Sequence, residues 1–170
     1  LATSLKAGLI GIILVMIYMI LLYRLPGFIS CFALVAYTAI FGVVLAVTKI
    51  TLSLPGIAGI ILTVGMAVDS NVVIYERIKE ELRSGKTLRA AVQSGFSRAF
   101  TAILDANVTT LIASVVLWYY GTGSVQGFAK TLFIGVIISL FTALVVTRVL
   151  LNAFVDFKVS PKLFGAKKSV

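Results

Sequence analysis

The chain has 170 residues, of which 60% are hydrophobic and only 12% are charged, and its mean hydropathy is +1.12. Because globular domains carry about 25% charged residues, this composition excludes an ordinary soluble domain and predicts a membrane protein. Histidine is absent and Cys31 is the only cysteine, which excludes an internal disulfide and argues against zinc or haem chemistry.

Five apolar runs are long enough to cross a hydrocarbon core of about 30 Å, which needs about 20 helical residues. They occupy residues 7–23, 27–47, 55–75, 99–119 and 129–151. The predicted fold is therefore an all-α polytopic membrane protein. Residues 1–155 form the transmembrane bundle and 76–98 a cytoplasmic amphipathic loop. Residues 156–170 form a basic cytoplasmic tail that either lies on the anionic inner leaflet or hangs free of it.

Lysine and arginine divide unevenly between the two sides of these spans. Twelve of the 15 fall on one side and three on the other, namely Lys6, Lys49 and Lys130. The positive-inside rule places the larger group in the cytoplasm, so the net charge of +9 records topology and does not indicate a nucleic-acid partner. The N-terminus of the chain is then outside and the C-terminus cytoplasmic. Because the chain starts LATSLKAG, without Met or a basic leader, we expect a further helix and an extracytoplasmic domain ahead of it, which would complete a six-span unit.

The connections carry turn signals. Pro26 and Gly27 follow Arg24 and predict a tight turn, so that the first two spans form an antiparallel hairpin. Residues 76–98 predict a helix that leaves the membrane, a break at Ser84-Gly85, and a second amphipathic helix at 87–93 lying along the interface. A solvated loop with snorkelling arginines is the alternative.

Small residues recur every fourth position in two spans. In the last span they include Gly127 and Gly135, and in the third they include Gly59. Such ridges let helix backbones approach closely inside a membrane, so each of these spans is predicted to have a face that packs against protein.

Asp69 is the only charge between Lys49 and Glu76. Placing a carboxylate at the centre of a bilayer costs roughly 3 kcal/mol of free energy. Other contacts must therefore offset this cost, or the carboxylate must serve a function. Asp69 and Asp105 each lie six residues from a predicted cytoplasmic helix end, at a depth of about 9 Å, and are predicted to be able to face one another. With Asn71, Asn107, Thr109 and Thr110 they predict a wet or hydrogen-bonded seam inside a helix bundle.

An apolar setting favours the neutral form of an acid, so Asp69 is suited to take a proton from one side and release it to the other. Moving one charge through 100 mV is worth about 2.3 kcal/mol, which is enough to shift the equilibrium between two conformations of a helix bundle. Asp69 is therefore the predicted proton relay. The alternative is a purely structural aspartate held by hydrogen bonds. For Asp105 a further alternative is that it caps or kinks its helix.

No cofactor is predicted. The coupling ion is H⁺ or Na⁺, because amide and hydroxyl oxygens beside a carboxylate suit either.

Long motifs carry a family resemblance from residue 7 to residue 149. The block GMAVDSNVVIYERIKEELRSGKTLRAAVQSGFSRAFTAILDANVTTLIA, with YRLPG before it and GTGSVQGFAKTL and SLFTALVVTR after it, closely resembles the membrane half of the SecD/SecF protein-export family. The resemblance implies the resistance-nodulation-division superfamily and a six-helix half that pairs with SecF. It also implies the bacterial inner membrane, assistance to the SecYEG channel by the proton-motive force, and an extracytoplasmic domain that holds unfolded preprotein. In that family the acidic residue of the GMAVD motif is associated with proton conduction, and this residue corresponds to Asp69. The DANVTT motif corresponds to residues 105–110, for which the resemblance implies a supporting role.

Two other functional classes stay open. A lipid or drug exporter of the same superfamily would share the acid, although the YRLPG and GTGSVQG flanks disfavour it, and a structural channel-associated subunit would tolerate Asp69→Asn. An enzyme is not expected, because histidine and the GxSxG motif are absent and the acids lack the motifs of intramembrane aspartyl proteases.

Overall fold

The computed structural model describes residues 2–50 and 53–157, and every element in these ranges is helical. All but the first two residues of the predicted basic tail at 156–170 lie outside the described residues. The elements are α1 (Ala2–Tyr23), α2 (Leu25–Thr48), α3 (Leu54–Arg83), α4 (Leu88–Tyr120), α5 (Ser124–Phe141), a π-helical turn (Thr142–Val146) and α6 (Thr147–Asp156). The last three form one continuous rod, so five helical rods are long and apolar enough to cross a membrane. This confirms the all-α fold with five spans.

The surface of the bundle is apolar, as a lipid environment requires. Leu21 on α1 and Val47 on α2 are 76% and 75% exposed, and both lie within predicted spans. In water, contiguous exposure of this kind would mark an interaction site or an aggregation hazard, whereas lipid tails solvate it without cost.

Helices α3 and α4 are longer than a membrane crossing requires. Their 30 and 33 residues correspond to about 45 and 50 Å, against about 30 Å of hydrocarbon. The surplus forms a helical hairpin with a turn at residues 84–87. The separate interfacial helix expected at 87–93 is instead the first part of α4, which Thr87 caps by accepting a hydrogen bond from the Ala90 amide. Helix-forming residues continue from there into the span, and Gly95 does not break the helix.

Gly95 lies where α4 crosses α3. A Cβ at this position would be 2.7 Å from the backbone nitrogen of Ile78, so only glycine permits the observed approach. The crossing fixes the antiparallel alignment of the two helices and therefore the depth of every residue along them.

The connection between α1 and α2 is a single residue. Arg24 adopts φ +52°, and Pro26 lies in the first turn of α2, where its missing amide hydrogen leaves no bond unmade. A Cβ on Gly27 would collide with the carbonyl oxygen of Met19. The hairpin predicted at residues 24–27 is thus present and tighter than the four-residue turn that the sequence indicates.

Helices α3 and α5 run parallel and pack more extensively than any other pair. Their small-residue ridges meet: a Cβ on Gly59 would collide with the Thr131 hydroxyl, and one on Gly135 would lie 2.5 Å from the Thr63 hydroxyl oxygen. Thr131 also donates a hydrogen bond to the Gly56 carbonyl across the interface, at 3.1 Å. Gly127 approaches Ser53, just before α3 begins. The three glycines selected from the sequence therefore all lie at the same helix contact.

Candidate functional site

Asp69 lies on the outer surface of the five-helix bundle. Its neighbours along the same face of α3, Leu62 and Gly65, are exposed with it, whereas Ala67 and Asn71 on the other face are buried. The expectation that the bundle itself encloses Asp69 is therefore wrong. The reason is that α4 and α5 occupy the opposite side of α3 and leave this face uncovered.

The motif Asp-x-Asn separates its two polar residues. Positions i and i+2 point about 200° apart on a helix, so they cannot share a face. On α3, Asp69 is exposed and Asn71 is buried, and on α4, Asp105 is exposed and Asn107 is buried. The predicted single seam is thus two polar regions, one outside the bundle and one inside.

The outer region includes the polar residues of α4. Asp105 and Thr109 are exposed and Thr110 is half-buried. The Thr109 hydroxyl donates to the Asp105 carbonyl at 3.0 Å, and the Thr110 hydroxyl donates to the Ala106 carbonyl at 3.2 Å. The threonine donors are thereby satisfied within their own helix, which leaves oxygen lone pairs available to a proton donor or a cation.

The two carboxylates lie at nearly the same depth. Counting from the contact of Gly95 with Ile78, Asp69 is about 14 Å along α3 and Asp105 about 15 Å along α4. Because the two helices pack as an antiparallel pair, these distances bring the acids to one level along the α3–α4 pair.

The inner region joins α3 to the last rod. The Thr147 hydroxyl donates to Asn71 Oδ1 at 2.8 Å, and both residues are buried. Thr147 follows the π-helical turn, and its hydroxyl also lies 3.3 Å from the Thr142 carbonyl, five residues back. Single π-helical turns within α-helices frequently occur at functional sites. Sequence reasoning missed this turn, since no residue pattern in the span distinguishes it.

Two buried polar atoms have no protein partner in the part of the chain that the structure describes. They are Asn107 Oδ1 on α4 and Ser139 Oγ on α5. Measured along each helix from the hydrogen bond between Gln126 Nε2 and the Trp118 carbonyl, Asn107 lies about 17 Å away on α4 and Ser139 about 20 Å away on α5. The antiparallel α4–α5 pair therefore contains unpaired polar atoms at the level of the acids.

Glu81, which sequence reasoning did not select, anchors the hairpin between α3 and α4. Its side chain is only 4% exposed and forms ion pairs with Lys86 and with Arg98, the latter at 3.0 Å. The hydrogen bond from Lys86 lowers the pKa of Glu81, desolvation opposes this, and the Arg98 charge lowers it further. Glu76, Glu80 and Glu81 all lie in the charged stretch of residues 76–98, and the sequence alone does not show which of these carboxylates is buried.

No group of three or more His, Cys, Asp or Glu side chains in residues 2–50 and 53–157 is arranged to hold a metal ion. The chemistry that Asp69 and Asp105 offer, each as an exposed carboxylate on its own helix, is proton exchange.

Comparison with known proteins gives consistent matches over the whole bundle. The family described as protein export membrane protein SecD/SecF, C-terminal, matches residues 1–156. The chain is 55% identical over 166 residues to the protein translocase subunit SecD of Acidaminococcus fermentans, covering 96% of this chain and 40% of that protein. It is 51% identical over 165 residues to SecD of Synechocystis sp., covering 95% of this chain and 35% of that protein. The chain thus spans well under half the length of these relatives.

Solved structures show the same helix arrangement. The crystal structure of SecDF from Thermus thermophilus, a translocon-associated membrane protein, matches with a TM-score of 0.87 at 41% identity, over 91% of this chain and 22% of that one. SecDF in its super-membrane-facing form matches with a TM-score of 0.86 at 41% identity, over 91% and 21%. The chain therefore belongs to the SecD/SecF family of protein-export membrane proteins.

Proposed function

We propose that this chain is the membrane half of a subunit of the bacterial protein-export machinery, which uses the proton-motive force to assist preprotein translocation through the SecYEG channel. It lies in the cytoplasmic (inner) membrane, with the N-terminus of the chain outside and its C-terminus in the cytoplasm. The SecD relatives, which are named protein translocase subunits, and the SecDF structure, described as translocon-associated, support this role.

The observation that carries the proposal is the position of Asp69. It is the only charge between Lys49 and Glu76, and the bundle leaves it exposed on an outer face within the predicted span. A carboxylate that faced acyl chains would cost roughly 3 kcal/mol, so this face requires a protein partner or water. In our proposal a SecF half covers it, which places Asp69 at the interface between two helical halves.

Protonation of Asp69 changes which surroundings stabilise its side chain at this interface. The neutral acid can pack against an apolar partner, whereas the ionised form needs water or a cation nearby. Transfer of one charge through 100 mV supplies about 2.3 kcal/mol, the same order as that difference. Asp105, at the same depth, plays a supporting part by adding negative charge and carbonyl and hydroxyl oxygens.

The inner contacts offer a route from this interface to the rest of the bundle. Asn71 ties α3 to the last rod through Thr147, and the small residues at Gly59 and Gly135 bring the two backbones into contact. Movement of α3 is therefore transmitted to the last rod as a rigid shift. In the proposed mechanism that shift moves an extracytoplasmic domain that holds the unfolded preprotein.

The test is Asp69→Asn in the full-length protein, reconstituted with SecF and SecYEG in proteoliposomes. The substitution removes the titrating group at nearly constant shape. We expect translocation to fall to the level measured without a proton-motive force, and proton flux to be lost. Glu80→Gln, which likewise neutralises an exposed carboxylate but lies outside the predicted spans, should leave both unchanged. Undiminished translocation in Asp69→Asn would refute the relay and favour a structural subunit.

The coupling ion is tested separately. A sodium gradient imposed without a pH gradient or membrane potential should not support translocation if H⁺ is the ion. If a sodium gradient alone restores the rate, the carboxylate couples Na⁺ instead. Asp105→Asn should lower the rate without abolishing it, as expected for a supporting residue.

A further inference from the structure

A cavity of about 920 Å³ lies between the first turns of α4 and helix α6, at the cytoplasmic edge of the bundle. Four cationic side chains line it: Lys86, Arg89, Arg98 and Arg148. The proton-relay proposal uses none of them.

The cations of the cavity outnumber the carboxylates that can neutralise them. Lys86 and Arg98 share one carboxylate, Glu81. Arg89 lies 3.6 Å from Asp156, but both side chains are more than 60% exposed, and such pairs contribute little in water.

Arg148 has no carboxylate within salt-bridge distance among residues 2–50 and 53–157. Its guanidinium carbon lies 5.2 Å from the centre of the Phe96 ring, which holds the side chain against the cavity wall. A cation–π contact leaves the hydrogen-bond donors of the guanidinium free for an anion.

The cavity also has an apolar side that continues toward the membrane. Phe96, Leu151 and Val155 line it, and Phe100, at its edge, is 40% exposed. Arg148 lies three residues from the predicted cytoplasmic end of its span, about 5 Å below that surface. The cationic groups are thus at headgroup depth, and the apolar wall leads into the hydrocarbon.

We propose that this cavity binds the phosphodiester headgroup of an anionic phospholipid from the cytoplasmic leaflet. Arginine presents a fork of donors that matches phosphate oxygens, and basic pockets between helices on the cytoplasmic side bind anionic headgroups. The apolar wall accommodates the start of an acyl chain, which a soluble anion does not have. Ser97 and Asn152 line the polar side and supply hydrogen bonds for headgroup hydroxyls. The bound lipid would join α6 to the base of α4.

The test uses the full-length protein in liposomes that contain a phosphatidylglycerol with a photoactivatable acyl chain. Crosslinks are mapped to peptides by mass spectrometry. We expect crosslinks to α4 and α6 that unlabelled phosphatidylglycerol competes away, and that phosphatidylcholine and inorganic phosphate do not. The double variant R89Q/R148Q should reduce the crosslink yield at these helices at least tenfold.

The matched control is R24Q/R83Q, which removes the same charge from exposed cytoplasmic positions outside the cavity. Its crosslink yield should change less than twofold. R89K/R148K keeps both charges and should retain at least a third of the crosslink yield, which would show that the loss in R89Q/R148Q is not a failure to fold.

Equal losses in the two glutamine variants would overturn the proposal by showing general attraction to an anionic surface. Competition by inorganic phosphate would overturn it in favour of a soluble anion, and equal competition by phosphatidylcholine would overturn the requirement for negative charge.

Discussion

Replacement of Gly135 by alanine tests the close packing of α3 against α5. A Cβ at this position would lie 2.5 Å from Oγ1, 2.6 Å from Cγ2 and 2.7 Å from Cβ of Thr63. Carbon atoms in contact are normally about 3.5–4.0 Å apart. The two helices must therefore separate by about 1 Å, or Thr63 must turn away.

Thr63 is held in place by two hydrogen bonds of its hydroxyl, one donated and one accepted. It is completely buried, its Oγ1 donates to the Ile60 carbonyl at 2.9 Å, and it accepts a hydrogen bond from the Tyr37 hydroxyl at 2.7 Å. Overpacking of a core costs typically 1–3 kcal/mol. Because Thr63 cannot rotate without losing these bonds, we expect a cost of about 2–3 kcal/mol, which is roughly a 30- to 150-fold change in the folding equilibrium.

The measurement is reversible unfolding of the purified protein in mixed micelles, by titration with a denaturing detergent. The matched control is Gly42→Ala on α2, where a Cβ would meet nothing within 4 Å. There the higher helix propensity of alanine should leave stability unchanged or raise it by up to about 1 kcal/mol. If Gly135→Ala and Gly42→Ala gave the same free energy of unfolding, the helices would not approach at Gly135 as described. Thr63→Ala in the Gly135→Ala background should recover part of the loss, because it removes two of the three colliding atoms.

Three further substitutions probe other contacts. Thr147→Val removes the donor to Asn71 Oδ1 and leaves that buried oxygen unpaired, so we expect a loss of about 1–3 kcal/mol in detergent-induced unfolding. Gly95→Ala would place a Cβ 2.7 Å from backbone on α3, and it should lower stability at least as much as Gly135→Ala, because backbone cannot rotate away. Because Lys86 lowers the pKa of Glu81 in the folded state, the ionised carboxylate stabilises the hairpin above the unfolded pKa of about 4.3, and this contribution is lost as the pH falls through the lower folded pKa. Hydrogen exchange of the hairpin amides should therefore increase on acidification, and Glu81→Gln should reduce that dependence on pH.

Two of these substitutions have a control within the chain. Ser139→Ala removes a buried hydroxyl that has no partner among the described residues, so it should cost less than Thr147→Val, and equal costs would contradict the Asn71 hydrogen bond. Glu80→Gln alters an exposed ion pair on the same hairpin, and it should leave the pH dependence of exchange in place. A stable Gly95→Ala protein would show that the α3–α4 crossing is wider than described.

The sequence predicted the membrane environment, the number of spans and the small-residue ridges along which helices pack, because each of these depends on local composition. A helix needs about 20 apolar residues to cross hydrocarbon, and small residues at every fourth position share one face of a helix whatever it packs against. Asp69 could be selected for the same reason, since a lone charge in an apolar run costs free energy in any arrangement of helices.

Tertiary structure decided which face of each helix is covered. The separation of Asp69 from Asn71 follows from the helix period, but only the positions of α4 and α5 show that the asparagine lies inside and the carboxylate outside. The pairing of Thr147 with Asn71 and the burial of Glu81 likewise depend on which residues of distant segments meet. Periodicity along one helix restricts a residue to a direction about its own axis, whereas its neighbours are set by the packing of all helices together, and no local pattern records that packing.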